Sequence, residues 1–124
     1  MSKLGSLIYT PGSARGEAIS KAESHTPKIE APDKVKAGQP FEVRVSVGPH
    51  PNTVQHSIRW IELYFEESGR PFNPVLLGRF VFEPEYAEPN VLATLSLKKP
   101  GKLIAVAYCN LHGLWESSKE ISVE

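Results

Sequence analysis

Residues 41–47 read FEVRVSV, and this stretch indicates the fold class because its apolar and polar side chains alternate without interruption. The phenylalanine and the three valines point to one side, whereas Glu42, Arg44 and Ser46 point to the other. Alternation with a period of two residues is typical of a β-strand that buries one face. The stretch therefore predicts a half-buried strand.

A second strand is predicted at residues 56–65, which read HSIRWIELYF. Here large side chains occupy both sides of the alternation, with Ile58 and Trp60 on one face and Ile61 and Leu63 on the other. A strand that is bulky on both faces is expected in the interior of a sheet.

Short strand-like runs continue along the chain, separated by turns rich in the nine glycines and eleven prolines. They cover residues 27–30, 75–83, 91–97, 102–109 and 119–124. Seven short strands with regular turn signals predict an all-β fold, an immunoglobulin-like seven-stranded antiparallel β-sandwich with an N-terminal arm. The paired cysteines of true immunoglobulin domains are missing, so only the architecture is implied.

The chain of 124 residues is long enough for one domain with its own core. Residues 1–24 mix Gly, Ser, Ala and Lys without a period, and we expect an arm that becomes ordered only by docking. Residues 25–124 are expected to form the β-sandwich domain.

Charge and cysteine content narrow the classes of function. Fourteen basic and fourteen acidic residues balance to a net charge of +0, which argues against a nucleic-acid partner. No apolar run near the N-terminus has the length of a signal sequence or a membrane span. The single Cys109 cannot form an internal disulfide, and an unpaired thiol is typical of a reducing compartment. We therefore expect a cytoplasmic protein with no membrane partner.

Five potential metal ligands all fall at turns or strand ends, beside Pro, Asn or Gly; they are His25, His50, His56, His112 and Cys109. Loops at the end of a sandwich can bring side chains together without disturbing the core. Taken singly, each histidine is compatible with a surface imidazole, and the cysteine with a buried thiol. Their joint placement predicts one shared metal site.

Residues 109–113 read CNLHG and form the strongest local signal. A cysteine and a histidine three residues apart in a turn can reach the same ion, and Gly113 can tighten that turn with a positive φ. Asn110 and Leu111 also place backbone N–H groups near the sulfur. Residues 50–56 read HPNTVQH, and the proline after His50 favours an extended backbone followed by a turn.

The number and type of these ligands narrow the choice of metal ion. Structural zinc is held by a closed tetrahedron of four ligands, whereas this chain offers five. Blue copper usually takes an axial methionine, and the only methionine is Met1. Iron tolerates higher coordination, and Fe(II) with four neutral imidazoles and one thiolate carries a formal charge of +1, which attracts a small anion to an open position.

Three tracts carry a specific resemblance: HPNTVQHSIRWIELYF at residues 50–65, YAEP at residues 86–89 and YCNLHGLWE at residues 108–116. From about Glu23 to the C-terminus the chain resembles the superoxide reductase family of one-iron, neelaredoxin-type proteins, within the desulfoferrodoxins. The resemblance implies an immunoglobulin-like sandwich with one mononuclear non-haem iron, bound equatorially by His25, His50, His56 and His112 and axially by Cys109.

In that family, superoxide is reduced by one electron to hydrogen peroxide, and no dioxygen is released. The resemblance implies an enzyme with this activity, a rubredoxin-like electron donor and a homotetramer. The alternatives are a metal-free immunoglobulin-like interaction module, a copper electron-transfer protein and a superoxide dismutase. The colour of an oxidised iron–thiolate centre and metal analysis separate the first two from the enzyme, and dioxygen release identifies the third.

Residues 23–27 read ESHTP and match the family pattern of Glu, Lys, His, a variable residue and Pro at every fixed place except one. The resemblance implies that Glu23 is a catalytic residue that binds the ferric ion at its sixth position. Ser24 stands where the family usually has a lysine that attracts superoxide and assists protonation. Lys21 is the nearest lysine that could supply this charge.

Overall fold

A computed structural model describes residues 2–124 and contains two β-sheets and three short helices. The helices are α1 (Leu4–Leu7), a 3-10 helix (Gly16–Lys21) and α2 (Ala22–His25). The strands are β1 (Lys28–Glu30), β2 (Lys34–Val35), β3 (Phe41–Ser46), β4 (Ile58–Glu67), β5 (Val75–Val81), β6 (Asn90–Leu95), β7 (Gly101–Cys109) and β8 (Gly113–Val123). None of the helices in residues 2–124 combines the length and apolar character needed to cross a bilayer.

The strands form a three-stranded sheet in the order β1-β3-β6 and a five-stranded sheet in the order β2-β8-β7-β4-β5. This confirms the predicted all-β sandwich. Each predicted strand is present, and the structure adds the two-residue strand β2. The predicted strands pair antiparallel throughout, whereas the added strand β2 runs parallel to β8.

The core lies between the two sheets and is filled by the side chains that the alternation predicted. Val43 and Val45 of β3 are fully buried against Ile61 and Leu63 of β4 and Leu103 of β7. Each fully buried aliphatic side chain contributes roughly 1.5–3 kcal/mol to the free energy of unfolding. The sandwich is therefore a rigid base for the loops at its ends.

Strand β4 is an interior strand, as predicted, since it pairs with β5 on one side and β7 on the other. The assignment of Ile58 to the same face as Trp60 is wrong. The pairing with β7 shifts between these two residues, and this β-bulge turns Ile58 into the core. The extra residue is Arg59, whose guanidinium binds Ser57 Oγ at 2.8 Å and the carbonyl of Val54 at 2.6 Å. Bulges are common beside functional sites because they redirect side chains.

The last strand is longer than predicted, because β8 begins at Gly113 and not near Lys119. Residues 115–118 read WESS and show no regular alternation, yet their backbone pairs with β7 throughout. Backbone hydrogen bonds of the β7–β8 hairpin therefore place these residues in the strand, and the pattern of their side chains does not predict it.

The N-terminal arm is docked on the sandwich. Tyr9 forms a parallel bridge with Trp115, accepting a hydrogen bond from the N–H of Glu116 at 2.8 Å and donating one to the carbonyl of Leu114 at 2.9 Å. The Tyr9 and Trp115 rings also pack together with centroids 4.7 Å apart. The arm ends in α2, which carries His25, so its docking positions the first predicted ligand.

Candidate metal centre

The five predicted ligands meet at the end of the sandwich where β7 ends and β4 begins. They come from three separate segments: helix α2, the loop of residues 50–56, and the turn that joins β7 to β8. Ligand atoms of four residues, namely His25, His50, His56 and Cys109, all lie within 4.8 Å of one another. The fifth, His112, adds its Nδ1 atom at 3.1 Å from Nε2 of His25.

His25 is the last residue of helix α2, which stops because Pro27 forces the preceding Thr26 into an extended conformation. The Nδ1 atom of the buried His25 ring lies 2.9 Å from the carbonyl oxygen of Lys21, one helical turn earlier. A carbonyl is only an acceptor, so Nδ1 carries the proton. This contact leaves the lone pair of Nε2 facing the centre.

The loop of residues 50–56 orients the next two rings. Nδ1 of His50 donates to the carbonyl of Pro51 at 2.7 Å, which again leaves Nε2 as the acceptor atom. His56 ends a tight turn in which its N–H donates to Thr53 Oγ1 at 3.0 Å. Nε2 of His56 is buried and has no hydrogen-bond partner among residues 2–124.

Cys109 and His112 lie on either side of a tight hairpin turn. Cys109, the last residue of β7, pairs directly with Gly113, so that three residues form the connection. Gly113 has a φ of 81°, the left-handed conformation that such a connection requires at this position. The turn brings Nδ1 of His112 to 3.7 Å from the Cys109 sulfur.

The four imidazoles are arranged around a square. Neighbouring ring centroids, in the order His25, His50, His56, His112, lie 4.6, 4.6 and 5.0 Å apart, and the last pair closes the square at 4.9 Å. Neighbours are close to perpendicular, with interplanar angles of 73–85°. The opposite rings of His25 and His56 are 6.3 Å apart and inclined by 26°. Four imidazoles in this order can direct one nitrogen each to a common centre.

The nitrogen atoms of His25 and His50 show why a cation fits this centre. Their Nε2 atoms lie 3.1 Å apart, and both are acceptors because both Nδ1 protons are engaged elsewhere. Two lone pairs at this distance repel each other unless a positive charge lies between them. For adjacent corners of a square, 3.1 Å corresponds to a centre about 2.2 Å from each nitrogen, close to the usual metal–imidazole distance.

The Cys109 sulfur occupies a distinct position relative to the square. Sγ lies 3.5 Å from Nε2 of His50 and 3.7 Å from Nδ1 of His112, two opposite corners. Nearly equal distances to opposite corners place the sulfur on the plane midway between them. Within the plane of the square, these distances would make the sulfur overlap the nitrogen of His25 or His56, so it lies over the square and not beside it. No carboxylate among residues 2–124 joins this group. We call the four imidazoles and this thiol the His4Cys cluster; it offers five ligands and leaves one octahedral position without a protein donor.

Three imidazoles of the cluster, those of His25, His50 and His56, are held in the neutral form that binds metals. Burial lowers the pKa of His25 from 6.5 to about 4, despite the opposing hydrogen bond to Lys21 and with further lowering by the other histidines. Burial also lowers the pKa of His50 and His56, and the nearby His112 contributes to both shifts. Neutral rings do not have to lose a proton before they coordinate.

Trp115 supports two ligands from one position. Its ring is almost fully buried and lies 5.2 Å from the His25 ring, and its Nε1–H donates to the carbonyl of His112 at 3.0 Å. Tyr9 of the arm covers its other side. The indole thus provides a dry apolar wall that limits access of water to the cluster.

The other predicted residues lie around the cluster. The Glu23 side chain is exposed and lines a shallow cavity of about 270 Å³ together with Pro11 and Lys28. Lys21 is half-buried beside His112 in a larger cavity of about 510 Å³, and its charge also lowers the pKa of His56. Ser24, where the family usually has lysine, contacts Nδ1 of His25 at 2.9 Å.

Sequence reasoning missed the groups that orient the ligands. The backbone carbonyls of Lys21 and Pro51 leave no trace in the identities of those residues, since any residue provides a carbonyl. Asn110 was expected to offer its backbone N–H to the sulfur, but this N–H donates to the carbonyl of Ser57 at 3.3 Å. The side chain of Asn110 also contacts that segment. The only feature of the sequence that could have indicated this role of Asn110 is its position between Cys109 and His112.

Comparison with known proteins gives a consistent result. The desulfoferrodoxin family model matches residues 17–118. The chain is 41% identical over 119 residues to neelaredoxin from Megalodesulfovibrio gigas, covering 84% of this chain and 91% of the relative. It is 45% identical over 107 residues to superoxide reductase from Pyrococcus abyssi, covering 82% and 90%. The solved structure of superoxide reductase (neelaredoxin) from Ignicoccus hospitalis is 74% identical, covers 99% of this chain and 100% of that chain, and superimposes with a TM-score of 0.94.

The lowered pKa of His25 predicts that acid destabilises the metal-free protein. Below pH 6.5 the unfolded chain gains a proton at this histidine, whereas the folded protein does not until about pH 4. The unfolded state therefore binds more protons in this window, and the free energy of unfolding falls as the pH drops from 6.5 to 4. His25 alone contributes on the order of 3 kcal/mol to this fall. Urea unfolding of chelator-treated protein at a series of pH values measures it.

The matched control is His25→Asn, which removes the titrating group and keeps a polar side chain of similar size. Its free energy of unfolding should decline less steeply across the same window, because only the remaining histidines and carboxylates titrate. Identical pH slopes for the two proteins would contradict the buried neutral state of His25.

Proposed function

The chain belongs to the desulfoferrodoxin family and is a superoxide reductase, and we propose that its His4Cys cluster holds one mononuclear non-haem iron ion. The observation that carries the proposal is the pair of acceptor nitrogens 3.1 Å apart, with a sulfur lying over the same square. When bound, iron supplies the single electron that converts superoxide, with two protons, to hydrogen peroxide. Four neutral imidazoles and one thiolate suit this ion better than the tetrahedral set of structural zinc.

The imidazoles and the thiol of the cluster have different roles in the proposed reaction. His25, His50 and His56 are held neutral, so these rings would hold the cation without cancelling the positive charge that attracts superoxide. With iron bound, Cys109 would supply the negative charge of a thiolate and direct electron density to the ion from a position closed to solvent. The imidazole square leaves its other face to the small anionic substrate.

We also propose that Glu23 binds the oxidised site. Loss of one electron raises the formal charge of the site from +1 to +2, which favours an additional carboxylate. Glu23 precedes His25 by two residues on the same helix, and no hydrogen bond or ion pair within residues 2–124 restrains its carboxylate. An exposed, unrestrained carboxylate can approach after electron transfer and leave before the next substrate arrives.

Lys21 is proposed as the charge that replaces the missing family lysine. It lines the same cavity as His112, and its charge lowers the pKa of His56. Ser24 has no charge, but it donates to the carbonyl of Lys21 at 3.2 Å and so restrains the backbone from which this lysine extends. Lys21 would attract superoxide, whereas proton delivery would require a water relay from the solvent.

Three further properties complete the proposal. Each reduction of superoxide consumes one electron, so an external donor is needed, and a rubredoxin-like protein suits a one-electron site. A cytoplasmic location is consistent with the unpaired thiol of Cys109. A homotetramer would cover exposed apolar side chains on the sandwich, such as Phe72 and Val81.

The reaction itself is tested by its stoichiometry. Iron-loaded, reduced protein given superoxide should form one hydrogen peroxide for each superoxide consumed and release no dioxygen. Peroxide and dioxygen are measured together in stopped-flow and electrode experiments, and metal analysis establishes which ion is bound. Chelator-treated protein is the control. Dioxygen release would indicate dismutation, and a colourless sample that takes up no iron would contradict the proposed site.

Glu23→Ala should alter the absorption band of the oxidised iron–thiolate centre, because a carboxylate ligand is lost and water or hydroxide replaces it. The second-order rate of superoxide reduction should change by less than about threefold, since the reduced site does not use this ligand. Spectra recorded from pH 5 to 10 provide the measurement. A band identical to that of the unsubstituted protein at every pH would rule out ligation by Glu23.

Lys21→Ala should slow superoxide reduction about two- to tenfold at low ionic strength and weaken its dependence on salt, because a steering charge acts through long-range attraction. Pulse-radiolysis rates at several salt concentrations measure both effects. Lys99→Ala is the matched control, since it removes the same charge in the exposed turn before β7, at the opposite end of the sandwich. Equal salt slopes in the two variants would contradict a steering role for Lys21.

A further inference from the structure

His56 differs from the two other histidines that present Nε2 to the centre. His25 and His50 each have a backbone carbonyl that fixes the ring through Nδ1. No hydrogen bond to the ring of His56 is found within residues 2–124, and its Nε2 is buried without a partner. Because the His56 ring lacks a hydrogen bond of this kind, its orientation depends more strongly on its backbone and on packing against the other rings.

The backbone around His56 is held by the side chain of Asn110. Its Oδ1 accepts a hydrogen bond from the N–H of Ser57 at 2.9 Å, and its Nδ2 donates to the carbonyl of Gln55 at 2.8 Å. These two bonds attach to the residues immediately before and after His56. Asn110 itself directly follows Cys109, so one amide connects two ligand segments.

The position of Asn110 in the sheet explains how this is achieved. The pairing of β4 with β7 ends at Ile58 and Cys109, and the next pair in register would be Ser57 and Asn110. The N–H of Asn110 still donates to the Ser57 carbonyl at 3.3 Å, but the chain then turns into the hairpin. The Oδ1 atom therefore replaces the backbone carbonyl that would otherwise accept from Ser57. The amide extends the sheet by one residue to the metal centre.

We propose that Asn110 is a positioning residue that fixes Nε2 of His56 relative to the sulfur of Cys109. This inference rests on the proposed metal site and adds a residue that is not itself a ligand. Among residues 2–124, no other side chain of the Cys109 turn hydrogen bonds to the backbone on either side of His56. Thr53 and Arg59 bind residues 54–57 from the same loop and strand. They therefore stabilise the turn but do not fix the distance between this turn and Cys109.

Binding of Co²⁺ to the chelator-treated protein tests the inference without superoxide chemistry, because the thiolate-to-cobalt absorption reports the Cys109 bond. Asn110→Ala should weaken Co²⁺ binding about 10- to 100-fold, the usual effect of removing a group that orients a metal ligand. Asn110→Ser, a milder change, gives the same test where the alanine variant folds poorly. Circular dichroism and urea unfolding establish that each variant is folded.

Asn73→Ala is the matched control. The side chain of Asn73 makes three hydrogen bonds to backbone groups, one more than that of Asn110: two to Glu67 and one to the carbonyl of Arg70. It lies in the turn between β4 and β5, far along the sheet from the cluster. It should lower the free energy of unfolding as Asn110→Ala does and leave the affinity for Co²⁺ unchanged. An equal loss of affinity in both variants would show a general structural effect and overturn the proposal.

Double substitutions identify the ligand through which Asn110 acts. If it acts through His56, Asn110→Ala combined with His56→Ala should bind Co²⁺ within about twofold of His56→Ala alone. In the His50→Ala background, by contrast, Asn110→Ala should weaken Co²⁺ binding by the same factor as it does alone. Multiplicative effects with both histidines would overturn the role assigned to Asn110 while leaving the metal site intact. Failure of the unsubstituted protein to bind Co²⁺ would instead overturn the metal site, and this inference with it.

Discussion

The mutual repulsion of nitrogen lone pairs is the constraint on which the structure depends. Two acceptor atoms 3.1 Å apart, with a third buried and unpartnered at His56, form an arrangement that no isolated loop would adopt. The protein maintains it by fixing the opposite side of two of these rings and the backbone of the third. The carbonyls of Lys21 and Pro51 hold His25 and His50 with strong hydrogen bonds. The metal ion then gains affinity because the unfavourable geometry is already in place.

The rest of the fold supplies the rigidity that this arrangement needs. Strands β4 and β7 pair along nine positions and end next to the cluster, so the loop containing His56 and the turn containing His112 start from a fixed base. The bulge in β4 adds to this rigidity, because it leaves Arg59 out of the pairing with β7 and its guanidinium then binds Ser57 and the carbonyl of Val54. A well-packed sandwich can tolerate a destabilising site at one end when its core lies elsewhere.

Sequence predicted those features that depend on local pattern. The alternation in FEVRVSV identifies β3, and the CNLHG stretch identifies the hairpin, since Gly113 is needed for its positive φ. Sequence could not predict contacts made by backbone atoms or by residues distant in the chain. The start of β8 at Gly113, the inward turn of Ile58 and the amide contacts of Asn110 all arise from pairing with another strand. Such pairing is visible only after the chain has folded.

The docked arm shows how one tertiary contact can organise several functions. Residues 17–25 contain the His25 ligand, the half-buried charge of Lys21 and the exposed carboxylate of Glu23. None of these three residues lies in a strand; the bridge between Tyr9 and Trp115 attaches the chain before them, and the pairing of β1 with β3 attaches it after them. Because Trp115 also contacts the His25 ring and the His112 carbonyl, arm docking and ligand placement share one side chain. Loosening the arm would therefore displace His25, Lys21 and Glu23 together, and under the function proposed above this couples the assembly of the metal site to the approach of superoxide.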